Sequence, residues 1–556
     1  MKKKTAAFLS ITVLAVAMLA GCGQKGSGET SAAPEEIGAS EGNDTDTTAA
    51  VDDDEKDGIV CYVGHGFWDG SLDPVKGAYA YGYDLTNNAL LCVAPDSSYT
   101  DDLAERWEVS DDALTYTFHL KDGIRFQDGS DFSAEDVVFT YKTVMENQGD
   151  NENVDLTKLD SVEAPDGSTV VFTLKEPYSP FLDTTARLGI VPSDGYDSTA
   201  FDEKPVGTGP WKIVQYDAEQ QLIMEANEDY FDGAPKIKRV TFVDMDNEAA
   251  FSNAQSGQLD IVMVQPNYVS EKIEGMHIER LETMDVRNIS LPCRPRQTMK
   301  DAEGNDVEIG NDVTADVNVR KALSMGINRE QIIENAFNGV GKPAYGFTKN
   351  LEWGNAPGSE DGQVEEARRI LEDAGWVDED GDGIREKDGV KCAFEVYTPS
   401  DEQDRYNLAA AVAEEAKGLG ISIVVKQTSW DEIYQTSNTG GVVWGFGQYD
   451  PIVIKQLFAS EGILKGAFDN KPAYENAKVD SLISEAIQTP RHEEAIAKWK
   501  EAQAVYAEEY PYLYLVNIEH CYFVSDRLDI SVDTQIPHPH GHGIPIICNM
   551  KDWSYK

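Results

Sequence analysis

The chain switches repeatedly between two hydrophobic periods from about residue 59 onward, and this limits the architectures open to it. Thr115 to Leu120 alternates with period two: Tyr116, Phe118 and Leu120 face one way, Thr115, Thr117 and His119 the other. Ser133 then reads as a helix N-cap, with Glu135 and Asp136 in the first turn and Val137, Tyr141 and Val144 as an apolar stripe. Val319, Ala322, Leu323, Gly326 and Ile327 mark a second amphipathic helix. Val364, Ala367 and Leu371 mark a third, stopped by Gly375. Ala409 to Lys417 predicts a fourth, ending at Gly418-Leu419-Gly420 before a strand over Ile421 to Lys426. Ile59 to Val63 reads as the opening strand. Interleaved strands and helices, with no internal repeat, predict a mixed α/β fold.

Upstream of Ile59 the chain has a different character. Lys2, Lys3 and Lys4 precede a mostly apolar run from Ala6 to Ala20, the n-region and short h-region of a secretory signal. The run is too short for a comfortable transmembrane helix. Leu19-Ala20-Gly21-Cys22 resembles the lipobox of bacterial lipoproteins, which implies cleavage before Cys22 and acylation of that residue. Gly23 to Gly58 holds no aromatic residue and almost no branched apolar one, so it cannot offset its chain entropy by burial and is expected to be a solvated, acidic tether. The formal net charge is −52, about −55 once the signal is removed. Such a chain repels polyanionic duplexes and anionic lipid, so nucleic-acid binding is excluded. Besides Cys22 there are six widely spaced cysteines and no CxxC; a structural disulfide and buried free thiols both fit them.

Four blocks in the body resemble the peptide/nickel class of extracellular solute-binding proteins that feed ATP-binding-cassette (ABC) importers, the oligopeptide-binding-protein-like family. The first runs from Leu103-Ala104-Glu105-Arg106-Trp107 through Gly123-Ile124-Arg125-Phe126 to Ala134-Glu135-Asp136-Val137. The second is Gly207-Thr208-Gly209-Pro210-Trp211 with Asn227, Tyr230, Gly233, Pro235 and Ser256-Gly257-Gln258-Leu259-Asp260. The third is Val319-Arg320-Lys321-Ala322-Leu323 with Ile327-Asn328-Arg329, and the fourth Ala374-Gly375-Trp376. The resemblance implies a two-lobed, class II periplasmic-binding-protein-like fold with a hinge and an extra domain on the first lobe. The expected division is signal peptide 1–21, tether 22–58, lobe I from 59–100, 204–312 and 518–556, extra domain 101–203, and lobe II 313–517. It further implies a ligand enclosed by lobe closure, a permease and ATPase as partners, a monomer, and a lipid-anchored position on the outer face of the cytoplasmic membrane.

The chemistry-bearing motifs divide by how they read. Gly207-Thr208-Gly209 precedes Pro210 and lacks a following GK[ST], so it reads as structural rather than as a phosphate loop. Asp378-Glu379-Asp380-Gly381-Asp382-Gly383 starts like a calcium loop, but position twelve is Gly389 where a bidentate Glu is needed; a weak calcium site and a solvated hairpin both stand. Trp444-Gly445-Phe446-Gly447-Gln448-Tyr449-Asp450-Pro451 matches the family's cleft segment, implying Trp444, Tyr449 and Asp450 as ligand-binding. Gly447 stands where peptide binders of the family carry an Asp for the ligand ammonium, which tilts the reading toward a metal chelate. Arg187 is implied as a partner for ligand carboxylates, with a lobe-surface salt bridge as the equal alternative, and Trp68 as a cleft residue, with His65 before it reading equally as a hydrogen-bonded structural residue. His538, His540 and His542 fall on one face of an extended segment and suit a transition metal such as nickel; a hydrogen-bonded or exposed loop is the plainer reading. No resident cofactor is expected, nickel entering only as part of a ligand. With neither GxSxG nor HExxH the chain is read as a binding protein for a short peptide or a metal chelate and not as an enzyme. A surface metallohydrolase using the C-terminal histidines and a ligand sensor are the other classes considered.

Overall fold

A computed structural model of the chain describes residues 58–64, 71–77, 85–147, 151, 154–348, 350–355, 361–466, 468–537 and 545–556. The lipobox Cys22, the tether up to residue 57, His65, Trp68 and the histidines 538, 540 and 542 lie outside the described residues, while Gly58, expected to end the tether, already belongs to the strand Gly58–Tyr62. The fold is mixed α/β. Its main sheet runs, by strand, 422–428, 393–399, 441–446, 276–290, 512–525, 261–264, 58–62, 239–243, 221–226 and 211–217. Two long antiparallel strands, Met276–Ser290 and Tyr512–Ser525, join the halves of this sheet. Near one end Tyr512–Ser525 pairs with Ile261–Val264; at the other end of the long pair, Met276–Ser290 pairs with Gly441–Phe446.

Midway along this pair the register breaks. Glu282 stands opposite Glu519, but Val286 stands opposite Asn517, so residues 283–285 bulge out. The bulge is held internally: the Thr283 hydroxyl donates to the Ile518 carbonyl, and the Asn517 amide donates to the Thr283 and Asp285 carbonyls at 3.0 and 2.7 Å. It therefore leaves no loose backbone acceptor at those two residues.

A separate four-stranded sheet, in the order 104–109, 115–120, 169–174 and 159–166, packs the helix Ala134–Glu146 on one face. The expected alternation holds, with Tyr116, Phe118 and Leu120 buried. Asp136 closes the helix start by accepting from the Ser133 N–H at 2.8 Å. The helix predicted over 409–417 begins earlier, as Gln403–Lys417. Its first turn was hidden because a buried arginine, Arg405, occupies the core-facing position where periodicity looks for an apolar residue. Gly207 and Gly209 are structural, as read: a Cβ at either would lie 2.0 and 2.6 Å from the Thr86 and Leu85 carbonyl oxygens. The six cysteines other than Cys22 are all free thiols.

Candidate functional site

Where the two halves of the main sheet meet, the C-terminal ends of 58–62 and 261–264 face the start of the helix Gln403–Lys417. Between them is a cavity of about 310 Å³. This is the position at which parallel strands leave a ligand crevice, and the volume is that of a small-molecule site. One wall is formed by Tyr62 to Gly64 and Val264 to Pro266, with the Tyr62 hydroxyl donating to the Asn247 amide oxygen at 3.0 Å. The opposite wall is formed by Asp401 to Arg405. Arg287 and His520, from the two long strands, line it beside the bulge.

The bulge sets the geometry of Arg287. The residue is only 8% exposed and forms an ion pair with the fully buried Asp285, Nη2 to Oδ2 3.2 Å. Its partner across the sheet is Gly445. A Cβ on Gly445 would lie 2.2 Å from Arg287 Nη1 and 2.8 Å from Asp285 Oδ1, so the guanidinium lies where a side chain of the neighbouring strand would be. Arg405 is committed differently. It pairs with Glu402 at 2.5 Å, donates to the Val443 carbonyl at 2.7 Å and stacks its guanidinium 5.4 Å from the Trp430 ring. Burial, reinforced by the nearby Arg287 charge, lowers its pKa to about 10. Asp404 is pushed above the ordinary carboxylate value by burial, against the opposing pull of Arg287.

Trp444 stands one layer behind this wall. It is buried, stacks on Trp430 with centroids 5.9 Å apart, and donates its indole N–H to the Ser290 hydroxyl at 3.1 Å. A continuous stack thus runs from Arg405 through Trp430 to Trp444, and Trp444 itself does not line the cavity.

Arg187 and Asp450 come together elsewhere, at a second contact between distant parts of the chain. Arg187 Nε lies 2.6 Å from Asp183 Oδ2. Asp450 is buried and accepts from the Ile452 N–H at 2.9 Å. Burial, then the neighbouring Asp183 charge, raises its pKa well above the carboxylate range, with Arg187 opposing. Tyr449 donates its hydroxyl to the Pro537 carbonyl and accepts the Trp353 indole N–H on its own carbonyl. Eight residues before Arg187, the Ser179 N–H and hydroxyl donate to the Ile487 and Ala486 carbonyls at 2.9 and 3.1 Å. None of Arg187, Tyr449 and Asp450 lines the 310 Å³ cavity.

The acidic hairpin carries its own cation. Asp378, Asp380, Asp382 and Glu386 bring carboxylates within 4.8 Å of one another, and Lys391 reaches Asp380 at 3.1 Å, Glu386 at 3.0 Å and Asp382. The hydrogen bond to Asp382, then those to Glu386 and Asp380, hold the Lys391 pKa above its ordinary value. The ammonium thus pairs with three of the four carboxylates of the cluster.

Arg287, Arg405, Asp404 and His520 were not singled out from the sequence. Nothing local marked Arg287, since its strand also carries Glu279, Arg280, Glu282 and Asp285, and only the fold shows which of these charges is buried beside the cavity.

Two α/β half-sheets joined by a long strand pair, with a cavity at the strand ends between them, define a binding protein of the class II periplasmic type. The chain belongs to the family of bacterial extracellular solute-binding proteins, family 5, whose model matches residues 98–454. Protein XP55 of Streptomyces lividans is 30% identical over 473 residues, 83% of each chain. The oligopeptide-binding protein AppA of Bacillus subtilis is 30% identical over 447 residues, 74% of this chain and 77% of AppA. Among solved structures, NikZ of Campylobacter jejuni in complex with Ni(L-His) aligns with a TM-score of 0.72 at 24% identity, covering 90% of this chain and 99% of NikZ.

Proposed function

We propose that this protein is the solute receptor of an ABC importer, lipid-anchored through Cys22 on the outer face of the cytoplasmic membrane. It captures a short peptide or a metal–chelate complex between its lobes and presents it to a permease and ATPase. It acts by binding rather than turnover. The observation that carries this reading is the 310 Å³ cavity at the strand ends, lined by uncharged residues of one half of the main sheet, by Asp401 to Arg405 of the other, and by Arg287 and His520 of the two long strands that, among the described residues, join the halves. Closure about those strands would strip water from the ligand and strengthen each polar contact to it. The seven-segment division into signal, tether, lobes and extra domain goes with this reading, as does the monomeric state.

The ligand divides into two classes. Similarity to an oligopeptide-binding protein supports peptides. Gly447, in place of a carboxylate for a ligand ammonium, and the fold shared with a Ni(L-His) binder support a chelate. Native mass spectrometry of gently purified protein separates them: a ladder of peptide masses is expected for the first and a single adduct with a nickel isotope pattern for the second. Metal-dependent turnover with no retained solute would overturn the receptor reading.

A further inference from the structure

We infer that Arg287 is the anion anchor of the cleft: its guanidinium takes a carboxylate of the bound solute, the C-terminus of a peptide or the carboxylate of an amino-acid chelator. The inference rests on the receptor reading above and adds the recognising group.

Two guanidiniums line the cavity, and they differ in what they have left to give. Arg405 is spent on Glu402, the Val443 carbonyl and the Trp430 face. Arg287 has one ion pair among the described residues, to Asp285, and its Nη1 makes no hydrogen bond. A buried guanidinium with an unused donor is costly unless something else pairs with it. Its forked donors match a carboxylate.

Its surroundings hold it ready. Gly445 leaves the space that the guanidinium fills, and the Asn517 amide pins the adjoining bulge. The group is therefore oriented before ligand arrives, and little side-chain entropy is left to lose on binding. The start of the helix Gln403–Lys417 opens on the same cavity and the Glu402 side chain does not cap it, so its N–H groups partly offset the carboxylates of Asp401, Glu402, Asp404 and Glu519 that also line the cavity; the anion is held by the Arg287 fork and not by the net charge of the wall.

The test uses the mature protein and ligands that carry or lack the carboxylate. One arm offers a random tri- to pentapeptide library with free and with amidated C-termini; the other offers nickel with L-histidine and with L-histidinamide. Retained masses are read by native mass spectrometry. In whichever arm binds, the free carboxylate is expected to be favoured roughly ten- to hundredfold. In Arg287→Gln this preference is expected to fall to about one, with far-ultraviolet circular dichroism reporting on folding. Equal retention of acid and amide by the unmodified protein overturns the anchor without needing a variant. A preference that survives in folded Arg287→Gln also overturns it, placing the carboxylate on another group. Retention of nothing in either arm overturns the receptor reading itself, and the anchor with it.

Discussion

Replacing Gly445 by alanine would drive a methyl group into the Arg287 guanidinium, because the two residues face each other across adjacent strands. Both strands are buried and leave the methyl little room to escape. We expect Gly445→Ala to lower stability by about 1–3 kcal/mol in urea unfolding and to weaken solute binding in the same protein. Asp450 acts through its proton. Its folded-state pKa lies above the unfolded carboxylate value of about 4, so the folded protein holds a proton that the unfolded chain has released. Its contribution is thus most favourable at low pH and is lost as pH rises from about 4 toward the raised value. Asp450→Asn is expected to remove that slope while keeping an acceptor for the Ile452 N–H; urea midpoints measured across pH for both proteins check it. A slope unchanged by the substitution would assign it to another group. Neither effect is visible in the chain itself, since Gly445 and Asp450 sit in one short Trp-containing segment whose meaning depends on Arg287 and Asp183, far away in sequence.

Among the elements, the paired long strands matter most, and their function lies in the interruption. A straight 276–290 strand would hold Arg287 in a different register. The three-residue bulge, satisfied by Asn517 and Thr283, sets the position from which Arg287 reaches over Gly445. Asn517→Ala removes two hydrogen bonds to partly buried carbonyls, an expected cost of about 1–3 kcal/mol in chemical denaturation. Amide exchange should rise around 283–287 and leave the sheet 104–174 unchanged. Regular elements could be read from the chain: the 115–120 alternation and the helix from Ala134 are where periodicity puts them. The bulge could not, because its partner is more than 200 residues away. The first turn of the helix from Gln403 was missed for a related reason, a charged side chain occupying a buried face.

For the whole molecule, the proposed arrangement is a binding body on an acidic leash. Cys22→Ala is expected to move the protein from the membrane fraction to the soluble fraction while leaving solute binding by residues 58–556 unchanged; cell fractionation followed by native mass spectrometry tests both halves of that statement. A variant that stays in the membrane fraction would remove the lipid anchor from the account. The sequence by itself determined the α/β class, the family blocks and the expected export address, because each is written in residues close together along the chain, in a period or a short motif. Only the tertiary structure decided which side chains share the cavity. Tyr62, Arg287, Asp404 and His520 are spread over more than 450 positions, and folding brings them to the ends of neighbouring strands. The same step put Trp444 behind the cavity wall and a lysine in the acidic hairpin, since burial and charge pairing depend on neighbours that local sequence does not specify.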